Sequence, residues 1–359
     1  MIRVGVVGAS GWADSSHLPA LAALEEFEVT AVATTKQASA DRFAAARVVR
    51  QAFSNAGELV THPEVDLVVV SVKAAGHAAE IRAALDAGKH VVSEWPLGVD
   101  AEEAAELTAV ATEAGVIHAV VLQGHHSPSA RFVADLVAAD RIGTLESVVL
   151  TAAGAPFGGN RIWPDLEFAL DPAQGTTILT IMAGHFLAGL ERVAGPLTEV
   201  SARLPRTHDH VLITGTQRTA PNSTPSHVLL HGLLANGGTA SIAVHGGNGD
   251  AQGGFRLELV GSEATLTATP ADPGTFIHWG DWNIRIGNDL VAIPDTYRTV
   301  PPTVESGPPA NIAALYREVA RAIAEARQPH PSFDTALRHH RLLAAIEHSA
   351  ASGTARSLA

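Results

Sequence analysis

Ile2-Arg3-Val4-Gly5-Val6-Val7-Gly8-Ala9-Ser10-Gly11 is a short apolar run that stops in a glycine-rich turn, and a segment with helical character follows it. Strand, tight turn and helix in that order bring backbone amides close to a phosphate. Glycine leaves no side chain in the way, and a helix start points its N–H groups outward. Gly8 and Gly11 fit that need, with Ser10 and Trp12 beside them. The spacing departs from G-x-G-x-x-G, since Ser10 stands where a second glycine is expected. An ordinary strand-to-helix turn of an α/β protein is the plain alternative.

The next strand supplies context. Phe27 to Thr35 is a second apolar run, reached after a stretch rich in Ala and Leu, which completes a βαβ unit of roughly thirty residues. At the end of such a strand the ribose of a bound dinucleotide lies, and a carboxylate there selects an unmodified 2′-hydroxyl. Here the residues are Thr34, Thr35 and Lys36. Two hydroxyls and an ammonium can donate to a 2′-phosphate that a carboxylate would repel. The expected cofactor is therefore NADP(H) in preference to NAD(H), with a solvated loop lysine as the plain alternative for Lys36.

Composition bounds the rest. A chain of 359 residues suggests two domains with sizeable cores. No apolar run is long enough to span a bilayer, and the N-terminus enters a strand with no basic region or cleavage signal, so a cytoplasmic protein is expected. The absence of cysteine excludes disulfides, thiolate metal sites and a thiol nucleophile. A formal net charge of -13 and no Lys/Arg cluster argue against nucleic acid. The 18 histidines show no metal-type spacing, and the adjacent pair His125-His126 has no carboxylate motif with it, so no metal is expected.

Strands and helices keep alternating to about residue 122. Val65 to Val72 is a β-branched run of the kind buried on both faces of a parallel sheet, a helix follows to Gly88, and His90 to Glu94 forms the next strand. A further helix to Gly115 and a strand from Val116 to Leu122 complete a Rossmann-type, doubly wound parallel sheet over residues 1–123. Its ligand crevice lies beyond the carboxyl ends of the strands. That singles out Gly8 to Gly11, Ser71 to His77, Ser93 to Gly98 and Gln123 to Pro128.

From about residue 145 the pattern becomes alternating strands: Glu146 to Ala152, His227 to Leu234, Thr239 to Val244 and Phe255 to Val260. Ala235-Asn236-Gly237-Gly238 is a strong hairpin signal between two of them. Residues 124–359 are read as an α+β domain on a largely antiparallel, open-faced sheet. Helices Ile178 to Val193, Ile312 to Ala326 and Phe333 to Ser349 would cover one face, and the proline-rich Pro294 to Pro309 is an extended connector.

This order of parts resembles the Gfo/Idh/MocA oxidoreductases over almost the whole chain. The landmarks are Val4 to Gly11, His17-Leu18-Pro19-Ala20, Ala87-Gly88-Lys89-His90-Val91, Glu94-Trp95-Pro96-Leu97, Gly184-His185 and Ser332 to Leu337. The resemblance implies hydride transfer between NAD or NADP and a sugar, cyclitol or related polyol. It also implies a subunit packed on the open sheet, so a homodimer or homotetramer is expected.

Two departures from the family pattern bear on catalysis. The usual motif is Glu-Lys-Pro, whose lysine handles the substrate proton, but this chain has Trp95, and indole serves neither as cation nor as proton shuttle. The aspartate usual four residues before the helix histidine is replaced by Ile181, leaving His185. Glu94-Trp95-Pro96-Leu97-Gly98, Ser71-Val72-Lys73 and Gln123-Gly124 resemble the branch that includes the fungal galactose-regulon repressor, in which the architecture binds NADP and a partner protein. Two functions therefore stand open: an NADP(H)-dependent oxidoreductase on a small sugar-like, polyol, carbonyl or imine substrate, with Lys73 or His185 handling the proton, or a cofactor-bound regulator without chemistry. Expected cofactor contacts are Gly8, Ser10, Gly11, Trp12, Thr34, Thr35, Lys36, Ser71, Lys73, His77, Glu94, Trp95, Pro96, Gln123 and His125. Expected substrate contacts are Trp95, His125, Trp163, His185 and Trp279. For Lys73 a solvated strand-end lysine or a structural ion pair, for His185 a hydrogen-bonded helix residue and for the tryptophans core or subunit contacts are the structural alternatives.

Overall fold

The computed structural model describes residues 1–247 and 254–358, and they gather into two compact units. Unit 1 comprises Met1–Leu122 and Thr299–His340, and unit 2 comprises Gln123–Arg298 and Arg341–Ala359. The chain therefore passes from one unit to the other after Leu122, after Arg298 and after His340.

Unit 1 holds a six-stranded, all-parallel sheet of β1 (Ile2–Val7), β2 (Phe27–Ala33), β3 (Gln51–Phe53), β4 (Leu67–Val70), β5 (His90–Glu94) and β6 (His118–Val121), in the order β3-β2-β1-β4-β5-β6. Order reverses between β1 and β4, and ligands of such sheets bind outside the strand ends at that switch point. Every residue of β4 is wholly buried, which explains its unbroken Leu-Val-Val-Val sequence. The crossovers contain α1 (Leu18–Ala22), α2 (Gln37–Arg47), α3 (Ala56–Val60), α4 (His77–Asp86) and α5 (Ala101–Ala114). Asp100 caps α5 by accepting from the Glu103 N–H at 2.9 Å, and Gly115 ends it in the left-handed region at φ 65°. A π-helical turn, Ala13–His17, runs directly into α1.

In unit 2, α6 (Pro128–Ala138) leads to β7 (Leu145–Ala153) and the two-residue β8 (Arg161–Ile162). A second π-helical turn, Ile178–Ala183, then runs into α7 (Gly184–Ala194). The remaining strands are β9 (Leu197–Arg203), β10 (His210–Ile213), β11 (Thr219–Pro221), β12 (His227–Leu234), β13 (Thr239–His245), β14 (Phe255–Gly261), β15 (Thr265–Pro270), β16 (Trp282–Ile286), β17 (Asp289–Val291) and β18 (Arg356–Ser357). Nine of the strands form one sheet in the order β17-β16-β15-β14-β7-β13-β12-β9-β18, antiparallel except where β13 meets β7. A small sheet, β11-β10-β8, stands apart from it. Asn236 turns the β12–β13 hairpin, its side chain accepting from the Gly238 N–H at 2.9 Å. On β12 the side chains of Val228 and Leu230 are buried while Leu229 and Leu233 are exposed, so the alternation leaves an outer face with apolar character.

The C-terminal helices are α8 (Pro308–Glu325) and α9 (Phe333–Ser352). From sequence they were expected to cover the second sheet. Instead α8 lies in unit 1, where Ile312, Tyr316 and Val319 join Leu18, Leu21 and Phe27 in one core. The apolar stripe of a helix fixes which side is buried but carries no information about which element buries it. Residues 333–340 of α9 also belong to unit 1, and the rest of the helix to unit 2. Among the described residues no helix is long and apolar enough to cross a membrane.

Candidate functional site

The turn after β1 is built as a phosphate cradle requires. Gly8 has φ 87°, and a Cβ there would stand 2.3 Å from the Ser71 carbonyl oxygen. No other residue fits. Its N–H and that of Ala9 donate to the Ala33 carbonyl at 3.0 and 3.2 Å, tying the turn to β2. Gly11 differs: at φ 25° a Cβ would meet nothing within 4 Å, so this glycine keeps the helix entrance bare. Ser10 and Gly11 are exposed, and Trp12 is half-buried. A helix entrance left bare of side chains at the switch point leaves room for a pyrophosphate, so these residues fit a dinucleotide.

At the end of β2, Thr34 Oγ1 donates to the Lys36 carbonyl at 2.9 Å and so shapes the loop. Thr35 and Lys36 are exposed, and Lys36 sits at the N-cap of α2 without a side-chain cap bond. The first carboxylate inside α2, Asp41, accepts from the Gln37 amide at 2.8 Å. A hydroxyl, an ammonium and a helix N-terminus thus share one loop that contains no carboxylate.

Beyond β4, Ser71 is half-buried and Lys73 is exposed at the start of a short 3-10 turn, Ala74–Gly76. His77 is buried, with Nδ1 2.7 Å from the Pro96 carbonyl and Nε2 3.0 Å from that of Val72. A neutral imidazole donates to only one of them, and burial pushes His77 below the usual histidine value. Its ring therefore braces the β4 and β5 loops against each other.

Beyond β5, Glu94 Oε1 accepts from Trp12 Nε1 at 2.8 Å and lies 2.7 Å from His17 Nε2. His17 is 0% exposed, and its Nδ1 lies 2.7 Å from the Tyr316 hydroxyl. Burial and the Glu94 charge push the Tyr316 phenol well above its ordinary value, so it keeps its proton. The His17 ring thus links the Tyr316 hydroxyl to Glu94 and fixes the carboxylate in place. Trp95 is 4% exposed, its ring 5.0 Å from His339 and 4.7 Å from His340. The Gly98 N–H donates to His340 Nε2 at 3.4 Å, and burial holds that histidine at about 3. Position 95 is thus an aromatic packing site, with no proton-transfer group on its indole.

In unit 2 the turn Gln123–His126 packs against α7. Thr177 and Thr180 cap the π-turn before α7 reciprocally: the Thr180 N–H donates to Thr177 Oγ1 at 3.2 Å, and the Thr177 N–H to Thr180 Oγ1 at 2.8 Å. This places His185, 6% exposed, at the start of α7, where its ring stacks on that of His278. His125 is buried on the neighbouring turn. Gln123 Oε1 and Ser127 Oγ are buried without a hydrogen-bond partner among the described residues, a condition that an ordered water or a bound molecule relieves. Trp279 is half-buried beside Phe276, their centroids 4.9 Å apart, whereas Trp163 is 55% exposed. Trp282 belongs to the core, its Nε1 donating to the Ile277 carbonyl at 3.0 Å.

Expected residues of unit 1 thus gather at the ends of β1, β2, β4 and β5, and Gln123, His125 and His185 of unit 2 lie on α7 and the turn packed against it. Reading the sequence missed Tyr316, His339 and His340. The first is joined to His17 across 299 positions, a pairing that no local pattern encodes.

Residues 2–122 match the family model of the Gfo/Idh/MocA oxidoreductases, described as having an NAD-binding Rossmann fold, and residues 128–269 match that of the Gal80p C-terminal domain. The galactose/lactose metabolism regulatory protein GAL80 of Saccharomyces cerevisiae is 26% identical over 258 residues, covering 66% of this chain and 58% of its own length. The dTDP-3,4-didehydro-2,6-dideoxy-alpha-D-glucose 3-reductase of Actinomadura kijaniata is 39% identical over 146 residues, or 41% of this chain and 44% of the reductase. Among solved structures, levoglucosan dehydrogenase in complex with NADH and levoglucosan superposes with a TM-score of 0.83 at 19% identity, covering 99% of both chains, a likeness of fold alone.

Proposed function

We propose, from the match of residues 2–122 to the Gfo/Idh/MocA oxidoreductase family model and of residues 128–269 to that of the Gal80p C-terminal domain, that the chain is an NADP(H)-dependent oxidoreductase acting on a carbon of a small sugar-like or polyol substrate. The observation that carries this reading is the pair of glycines after β1, one forced by the Ser71 carbonyl and the other leaving the helix entrance open, next to a loop with Lys36 and no carboxylate.

The turn Gly8 to Gly11 would hold the pyrophosphate, and Thr35, Lys36 and the start of α2 the 2′-phosphate. Ser71, Trp12 and the fixed Glu94 would line the way to the reactive ring. When bound, the nicotinamide supplies or accepts the hydride. The remaining task is one proton on the substrate oxygen: a carbonyl that gains a hydride gains a proton to become an alcohol, and the reverse reaction gives both up. His185 is the group best suited to exchange it, with Lys73 as the second candidate, because the indole at position 95 cannot. His125, Gln123 and Trp279 would orient the substrate, the buried Gln123 Oε1 accepting from one of its hydroxyls. The exposed Leu229 and Leu233 on the outer face of the second sheet support a homodimer or homotetramer.

A regulator without chemistry is the second reading, supported by Trp95 locked between two imidazoles and by the Gal80p-like domain. Nicotinamide absorbance followed with a panel of keto-sugars, polyols and cyclic imines separates the two. Turnover that falls in His185→Ala, with nucleotide affinity kept, supports the enzyme; NADPH binding with silence across the panel overturns it in favour of the regulator.

A further inference from the structure

The His185 ring does not stand alone in unit 2. Its centroid lies 4.2 Å from that of His278, with 13° between the planes, and Phe276 continues the near-parallel arrangement on His278 at 5.7 Å and 5°. Phe186 and Trp279 close the sides, edge-on to His278 at 6.0 and 5.8 Å. His278 is 3% exposed although it comes from a segment without regular structure. The segment packs directly on the backbone at two glycines: a Cβ on Gly124 would stand in ordinary contact with His278 Cβ at 3.4 Å, and one on Gly189 with Ile277 at 3.7 Å. A ring held by flanking aromatic edges and seated against a glycine is a fixed plate.

We propose that His278 is a positioning residue for His185, a plate that fixes the plane of the His185 imidazole and prevents both rings from carrying charge together. The proposal rests on the reading of His185 as the proton-exchanging group. Two stacked imidazoles repel when both are protonated, and burial acts first and His185 second to push His278 well below its ordinary value. His278 therefore stays neutral and leaves the proton to its neighbour. Other titratable groups on the surrounding elements are placed or committed elsewhere. His125 and His126 lie on the packed turn, and Arg131 and Asp135 of α6 bond to the carbonyl and hydroxyl of Tyr297. Asp281 pairs with Arg298, Glu191 and Arg192 lie at the far end of α7, and Asp272 and Glu146 are exposed.

The test uses His278→Phe, which keeps a stacking plate, and His278→Ala, which removes it. Ring 15N shifts of His185, identified by their loss in His185→Gln, are followed against pH in the full chain, with no need for turnover. In His278→Phe the His185 titration is expected to move to higher pH, since the repelling ring is gone and a phenyl face attracts a cation. In His278→Ala the His185 ring signals should broaden. Where turnover is measurable, the alanine variant should lose about 10- to 100-fold in kcat with KM for the nucleotide kept, and the phenylalanine variant should recover most of it. An unchanged His185 titration in folded His278→Phe overturns the proposal, even if the alanine variant does not fold. Absence of turnover in the native chain would instead count against the oxidoreductase reading and leave the ring coupling readable.

Discussion

Replacing Gly8 and Gly11 in turn by alanine separates what the turn does for the fold from what it does for a ligand. At Gly8 the new methyl would stand 2.3 Å from the Ser71 carbonyl oxygen at φ 87°. Overlap of that size and a left-handed backbone together cost about 3 kcal/mol, or roughly 6–12 °C in Tm for a unit of this size. At Gly11 nothing lies within 4 Å of the methyl and φ is 25°, so only the backbone preference is lost. That is about 1 kcal/mol, or roughly 2–4 °C. Under the proposed function the same methyl would stand where the phosphate approaches. Loss of two charge-assisted hydrogen bonds at about 1.5–3 kcal/mol each weakens nucleotide binding by about 100-fold or more. Differential scanning fluorimetry reads the first quantity, and quenching of tryptophan fluorescence by NADPH, with Trp12 beside the turn, reads the second. The reasoning is refuted if Gly11→Ala binds NADPH as the native chain does, or if Gly8→Ala is as stable as the native chain.

Lys36→Ala should weaken NADPH binding by about tenfold, the worth of one exposed charge-assisted contact, and leave NADH binding unchanged in the same calorimetric titration. His340 is depressed to about 3, below its value in the unfolded chain, so the unfolded state binds more protons as pH falls. Its contribution to stability is therefore complete above about pH 6.5 and lost as pH drops from there towards 3, at about 1.4 kcal/mol per pH unit. Urea denaturation at stepped pH should show a shallower acid loss in His340→Gln. Trp95→Lys puts an ammonium between His339 and His340 in a buried site and should cost about 3 kcal/mol or more by the same denaturation, without raising turnover.

Much of the fold was legible because local rules decide it. Glycines punctuate β1, the Leu-Val-Val-Val of β4 reports burial on both faces, and Asn236-Gly237 marks its hairpin. The position of candidate residues was legible at strand ends, as at Gly8, Lys36 and Glu94. It was not legible where the partner is distant in sequence: Tyr316 on His17, His340 on Trp95 and His278 on His185 are brought together by packing alone. The helix expected from Ile178 to Val193 begins instead as a π-turn that aims His185, an interruption that hydrophobic spacing does not reveal. Likewise α8 carries the amphipathic stripe expected of it and buries that stripe in the other unit.

The account turns on a phosphorylated dinucleotide held by the turn after β1 and the loop at Lys36. Isothermal titration of the native chain with NADPH and with NADH measures this directly. The account predicts saturable binding of both, tighter for NADPH; tighter binding of NADH contradicts the reading of the Lys36 loop, and no binding of either contradicts the whole.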